Sequence, residues 1–297
     1  MLTIKRKSPY TIACLVILAV LAFLFIFPVY WILTGSFKTA QEINSASPTF
    51  FPQVFTLDNY QRLFAEQMPL FQIQLAGYTI TGPAIATALK WLLNTIIMAV
   101  ASMVLTCLTA AMAGYVLAKK QFYGRALVFS LMVCAMALPK QVILIPLVQQ
   151  MAAMGIHDTL LAVILPIVGW PFGVFLMKQF SENVPTEMLE AARIDGAGQW
   201  RTFAQIVFPL IKPGVGALAI FTFITSWNDY FMQLIMLISR SNLTISVGIA
   251  LMQSGPDAND FGLIMAGAAV AAVPILVVFI MFQRYFTQGI TMGAVKG

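Results

Sequence analysis

Four stretches of this chain, residues 8–37, 91–118, 159–177 and 261–283, contain no Asp, Glu, Lys or Arg. Each holds the roughly 20 apolar residues that a helix needs to cross a hydrocarbon core about 30 Å thick. Two further stretches, about 126–151 and 214–238, are long enough but carry one charge each, Lys140 and Asp229. Counting both predicts six spans, at about 11–35, 91–118, 126–151, 159–178, 214–238 and 261–284, in a single membrane domain covering 1–297. Composition agrees, since 60% of residues are hydrophobic, 9% are charged and the mean hydropathy is +0.87. A soluble domain carries about a quarter charged side chains.

Inserted helices keep Lys and Arg on their cytoplasmic flanks. With the N-terminus inside, Lys5, Arg6, Lys7, Lys119, Lys120, Arg125, Lys178, Arg193, Arg201, Lys212, Arg284 and Lys296 all fall on the cytoplasmic side, as does the C-terminus. Lys38, Arg62, Lys90, Lys140 and Arg240 lie outside or within the membrane. The net charge of +6 is therefore a topology signal and needs no nucleic acid. The first apolar run follows Lys5-Arg6-Lys7 like a secretory signal, but at about 25 residues it exceeds the 7–15 apolar residues of such signals and reads as an uncleaved helix. Cys14, Cys107 and Cys134 fall in apolar helices without metal-ligand spacing and read as small buried side chains. His157, the single histidine, lies in the turn Gly155-Ile156-His157-Asp158 with no second ligand nearby and reads as a solvated turn residue.

The connections are unequal, with no repeat or low-complexity segment. Residues 38–90 form the longest, on the outside, carrying Pro48, Pro52, Pro69 and Pro83; its less polar part, 69–89, is expected to rest on the membrane surface. The inner connection 178–213 alternates charged and apolar residues at helical spacing. Pro185 suits a helix start. Met188, Leu189, Ala191, Ala192 and Ile194 then form one face, Glu187, Glu190, Arg193 and Asp195 decorate the other, and Gly196 with Gly198 ends the helix. A second short helix, 199–208, presents Trp200, Phe203, Ala204, Ile206 and Val207, with Pro209 and Pro213 marking a turn into the fifth span. Both are expected to lie at the inner membrane surface, over about 186–208. Small residues at Ala191, Ala192, Gly196 and Ala197 let a partner approach the backbone, and Glu190 and Asp195 offer it carboxylates. An amphipathic helix resting on lipid is the plainer alternative.

Glu190-Ala191-Ala192, Gly196, Ile206 and Phe208-Pro209 together resemble the coupling motif of ABC importer permeases, with Phe208 where Leu is usual. Leu57-Asp58-Asn59-Tyr60, Asn94-Thr95, Ala113-Gly114-Tyr115, Asp158-Thr159, Trp227-Asn228-Asp229-Tyr230 and the terminal Gly293-Ala294-Val295-Lys296-Gly297 look like the sugar-importing members, similar to the maltose transporter's smaller permease subunit. The resemblance covers about residues 10–297. It implies an all-α polytopic membrane protein with the type I importer permease fold and coupling helices, in the bacterial inner membrane, importing an oligosaccharide or related carbohydrate. The implied partners are a second homologous permease, two cytoplasmic ATPase subunits and an extracytoplasmic sugar-binding protein. Glu190, Ala191, Ala192, Asp195, Gly196, Ala197, Ile206 and Pro209 would meet the ATPase, and Lys296-Gly297 match a tail that reaches into it. The outer loop 239–260 matches one that reaches toward the binding protein. The chain holds no G-x-x-x-x-G-K-[ST] phosphate loop. ATP and magnesium are expected on the partner ATPase, with no cofactor on this chain, which would be a non-catalytic subunit.

A charge in hydrocarbon costs several kcal/mol and usually faces a cavity or partner. On straight helices Lys140 would lie about 14 residues, roughly 21 Å, from the inner start of its span, and Asp229 about 15 residues, roughly 23 Å, from its own. Lys140, Gln141, Trp227, Asn228, Asp229 and Gln233 are accordingly expected to line the outer part of a polar path, with Lys140 favouring an anionic sugar such as a uronic-acid oligosaccharide. The alternative places both charges at the outer ends of shorter helices. An ATP-independent secondary transporter or channel is a rival class, but no inverted repeat is evident. A membrane-embedded enzyme would need a constellation of nucleophile, base or metal ligands, and the spans contain none.

Overall fold

The computed structural model describes residues 9–75, 78–254 and 259–294; Lys296 and Gly297 lie outside them. The chain divides into two compact units, Met1–Gln67 with Ile249–Ala272, and Met68–Gly248 with Val273–Gly297.

In the first unit, α1 (Pro9–Gly35) is apolar on every side, and none of its most hydrophobic window is buried within the chain. A helix greasy all round is stable only where its surroundings are greasy too. Two short helices follow, α2 (Ala40–Ile43) and α3 (Asp58–Ala65). The buried Asn59 amide donates to Ser36 O at 2.9 Å and Lys38 O at 2.8 Å, satisfying two carbonyls past the end of α1. Tyr60 Oη pairs with Ser36 Oγ at 2.8 Å. Arg62 forms an ion pair with Asp260.

The second unit is built around α4 (Thr87–Lys119). It is followed by α5 (Arg125–Ala135), α6 (Lys140–Ala153, opening in a 3-10 turn), α7 (Leu160–Val168), α8 (Pro171–Glu182), α9 (Thr186–Ile194), α10 (Gln199–Asn228) and α11 (Tyr230–Met236). Helices α12 (Ile245–Met252) and α13 (Phe261–Ala294) complete the order. Small residues let α4, α8 and α10 pack closely, as in other membrane bundles, with α4 meeting the backbone of α8 at Gly114. A Cβ added at Gly114 would sit 2.6 Å from Lys178 N, one at Gly173 3.4 Å from Ala110 Cβ, and one at Gly214 2.4 Å from the Phe180 ring. Cys107, Ala110, Ala111, Tyr115, Val174, Met177, Val207, Ile211 and Leu218 form the core between them.

Among the described residues, five helices are long and apolar enough to cross a membrane, with α7 and α8 counted together, or six if the bent pair α5–α6 also counts as one span. Three of the expected spans are broken. The 126–151 stretch bends by 99° between α5 and α6. The 159–178 stretch breaks at Gly169-Trp170, and the 214–238 stretch at Asp229. Two of the breaks share a cause: a residue preceding proline is pushed out of the helical region. Leu138 precedes Pro139, and Trp170, extended at φ −61° and ψ 118°, precedes Pro171. At the third, Asp229 accepts from Met232 N at 3.4 Å and caps a new helix.

The 69–89 stretch contains a hairpin of Gln72–Leu75 with antiparallel Tyr78–Thr81, extended by Gly82 N donating to Phe71 O at 2.9 Å. One expectation needs correcting. The 199–208 segment is not a separate short helix with a turn at Pro209. It is the start of α10, which runs through Pro209 and Pro213. A proline inside a helix removes a donor and clashes with the preceding turn. The π turn Phe203–Val207, just before Pro209, widens the helix there and lets it continue.

Candidate functional site

The connection between α8 and α10 carries the segment expected to meet a partner, a projecting handle built on α9. Helix α9 starts after Pro185 and ends in a Schellman motif: Ala197 N donates to Ala192 O at 2.9 Å and Gly196 N to Arg193 O at 3.1 Å, with Gly196 left-handed at φ 74°. Ala192 is buried and anchors the helix, while Glu190, Ala191 and Asp195 are exposed and Ala197 is half-buried. No heavy atom lies within 4 Å of a Cβ added at Gly196, so the space beside it is open. Ile194 is 86% exposed and Trp200 72%, giving the handle an apolar tip. The start of α10 is pinned by Phe203, whose ring lies 5.7 Å from that of Tyr115, and by the buried Val207. Lys120 Nζ also donates to Gln199 Oε1. Ile206 is half-buried and Pro209 exposed on the same helix.

The three helix breaks meet at a cavity of about 460 Å³. Its wall takes Ala135, Met136, Leu138 and Lys140 from the first break, Gly169, Trp170 and Pro171 from the second, and Thr225, Ser226, Asp229 and Met232 from the third. Lys140 Nζ lies 3.6 Å from Asp229 Oδ2 and 5.1 Å from the centre of the Trp170 ring. The other polar-path residues are elsewhere. Trp227 is buried in a cluster with Ala99 and Phe223, and the buried Gln233 amide donates to Ser226 O at 2.8 Å. Gln141 is exposed, and Asn228 donates to Ile224 O at 3.0 Å. The depth expected for Lys140 on a straight helix fails because the residue begins a new one. Its ammonium stands beside the Asp229 carboxylate, so the cavity wall carries both signs of charge.

A further knot joins the turn before α7 to the segment after α11. Asp158, at φ 60°, accepts from Ile238 N at 2.7 Å, from Ser239 N at 2.9 Å and from Ser239 Oγ. Partial burial pushes its carboxyl up, but the Ser239 hydroxyl and the two amides outweigh this and hold it below the ordinary aspartate range. Beside it, His157 is half-buried, with Nε2 enclosed and unpartnered, not the solvated turn residue its sequence context suggests. Nearby, Trp91 Nε1 donates to Arg240 O at 2.8 Å, Asn94 Nδ2 to Leu243 O at 2.9 Å, and Thr95 Oγ1 accepts from Ile245 N at 2.9 Å.

Apolar spanning helices, discontinuous at a shared cavity and joined by a loop that projects a polar helix, define a polytopic transport permease. The family described as "Binding-protein-dependent transport system inner membrane component" matches residues 110–292, and this chain belongs to it. The arabinooligosaccharides transport system permease protein of Halalkalibacterium halodurans is 33% identical over 297 residues, covering 99% of this chain and 100% of that protein. The diacetylchitobiose uptake system permease protein of Streptomyces coelicolor is 30% identical over 98% of this chain and 90% of its own length. Among solved structures, a bacterial ABC transporter involved in import of the acidic polysaccharide alginate has a chain of the same fold. It matches with a TM-score of 0.76 at 19% identity, covering 95% of this chain and 99% of that one. The fold is that of a type I importer permease.

Proposed function

We propose that this chain is a permease subunit of an ATP-driven importer that takes up an oligosaccharide. Full-length relatives named for arabinooligosaccharide and diacetylchitobiose transport support the substrate class. The observation that carries the coupling is the α9 handle, a rigid helix whose glycine end leaves open space where a partner can seat. In this reading the handle faces the cytoplasm together with both chain termini, as the distribution of Lys and Arg requires. It docks on a separate ATPase that binds ATP and magnesium. Glu190 and Asp195 meet basic side chains of that ATPase, while Ile194 and Trp200 fill apolar space on it. A second permease chain completes the translocation path, two ATPase subunits drive it, and an extracytoplasmic binding protein delivers the sugar.

The test is Gly196→Asp in the complete transporter. No atom of the chain obstructs a side chain there, so the fold bears only the left-handed backbone strain of about 1 kcal/mol. Assembly in the membrane should persist while ATP-driven uptake falls at least tenfold. Uptake at the wild-type rate would remove the handle from the coupling path.

A further inference from the structure

The cavity at the three helix breaks has no role in the coupling argument, and its chemistry is specific. Most of its wall is apolar, with Lys140, Thr225, Ser226 and Asp229 as its polar lining, the usual composition of a small-molecule site; its volume of about 460 Å³ lies in the range of such sites. Lys140 and Asp229 stand 3.6 Å apart, farther than the roughly 2.7–2.9 Å of a direct charged hydrogen bond. Ser226, 1% exposed, lines the same cavity, and its Oγ has no hydrogen-bond partner. A buried hydroxyl left unpaired costs about 1–3 kcal/mol and calls for an explanation. Discontinuous helices in a bilayer are tolerated where they line such a cavity, and transporters place substrates there.

We propose that this cavity is a subsite on this chain for one uncharged pyranose or furanose unit of the transported sugar; the proposal rests on the transport function above. A sugar hydroxyl both donates and accepts. It can donate to Asp229 and accept from Lys140, and a neighbouring hydroxyl can pair with Ser226 Oγ. The Trp170 ring closes one wall, held in place against Phe221 at 5.5 Å. Because the Lys140–Asp229 pair carries no net charge, a neutral ring gains these hydrogen bonds without displacing a charge. A uronate carboxylate drawn to Lys140 is repelled by Asp229, so the pair selects against acidic sugars. Removing the negative member reverses the preference.

The experiment uses the complete transporter in nanodiscs, titrated with arabinotriose, maltotriose, diacetylchitobiose and a galacturonic acid trimer. Uptake into vesicles is measured alongside. Whichever neutral sugar is transported should quench tryptophan fluorescence saturably, and the quench should vanish in Trp170→Phe. Ser226→Ala should weaken that binding three- to tenfold, and Asp229→Asn should shift the neutral-to-acidic affinity ratio at least tenfold toward the galacturonate. Ser226→Ala removes only an unpaired hydroxyl, so it keeps the test valid if an Asp229 variant misfolds. A transported neutral sugar that gives the same quench in Trp170→Phe and the same affinity in Ser226→Ala overturns the subsite while leaving the function intact. Tighter wild-type binding of the galacturonate does the same. No ATP-driven uptake of any of the four sugars overturns the function, and the subsite with it.

Discussion

Asp158→Asn isolates the knot that ties the α6–α7 turn to the segment after α11. Asn tolerates the left-handed φ of 60° at this position, so the substitution leaves the backbone unstrained. It removes the charge and turns one of two acceptor oxygens into a donor facing Ile238 N, Ser239 N and Ser239 Oγ. Hydrogen bonds to a charged group contribute about 1.5–3 kcal/mol each, and the lower end applies at this partly solvated site. Loss of one, with weakening of the others, should cost about 2 kcal/mol. At roughly 2–4 °C per kcal/mol for a chain of this size, the melting temperature of the purified transporter should fall by about 4–8 °C at pH 7. The pH dependence has a definite sign. The folded carboxyl titrates below the ordinary value of about 3.9, so its stabilisation is fully present above that value and is lost as pH falls through the folded pKa. The gap between wild type and variant should stay constant from pH 8 to 5 and close below about pH 4. No gap at pH 7, or an undiminished gap at pH 3, would mean that the Asp158 carboxylate does not hold the knot together.

Gly114→Ala should force apart α4 and α8, because its Cβ would meet backbone atoms Lys178 N at 2.6 Å and Met177 C at 2.7 Å. Overpacking of this kind costs about 1–3 kcal/mol, to be read as earlier unfolding of the solubilised complex. Asn59→Ala leaves Ser36 O and Lys38 O without their donor and should cost about 2 kcal/mol by the same assay. Glu190→Ala, at an exposed position, should leave the melting temperature within about 1 °C of wild type while weakening ATPase retention on affinity purification.

Uncharged run length made the membrane helices legible, and the small residues and carboxylates at 190–197 made the handle legible, down to the glycine that ends it. Asn59, Asn94 and Thr95 were visible as a family pattern, but their work, satisfying distant loop carbonyls and an amide, depends on chain path. The helix breaks were harder to read. Pro139 and Pro171 break their helices by keeping the preceding residues, Leu138 and Trp170, out of the helical region, a signal that run length alone hides. Pro209 and Pro213 misled in the other direction, because the π turn before them absorbs what would otherwise be a kink. Lys140 and Asp229 were legible as two charges on one path, but not as an ion pair, because they lie some ninety residues apart in sequence. Only the convergence of three breaks brings the two together. Trp227 and Gln233 share a segment with Asp229 but point into packing and into Ser226 O, which no linear pattern reports.

In the proposed function this chain moves sugar only when an external ATPase drives it. The direct measurement is uptake of labelled arabinotriose, maltotriose and diacetylchitobiose into vesicles holding the purified complex, with ATP inside the ATPase compartment or with an ion gradient alone. Uptake of at least one sugar should require both ATP and the binding protein and should fall at least tenfold in Gly196→Asp. Uptake driven by the gradient without ATP would contradict the proposed function.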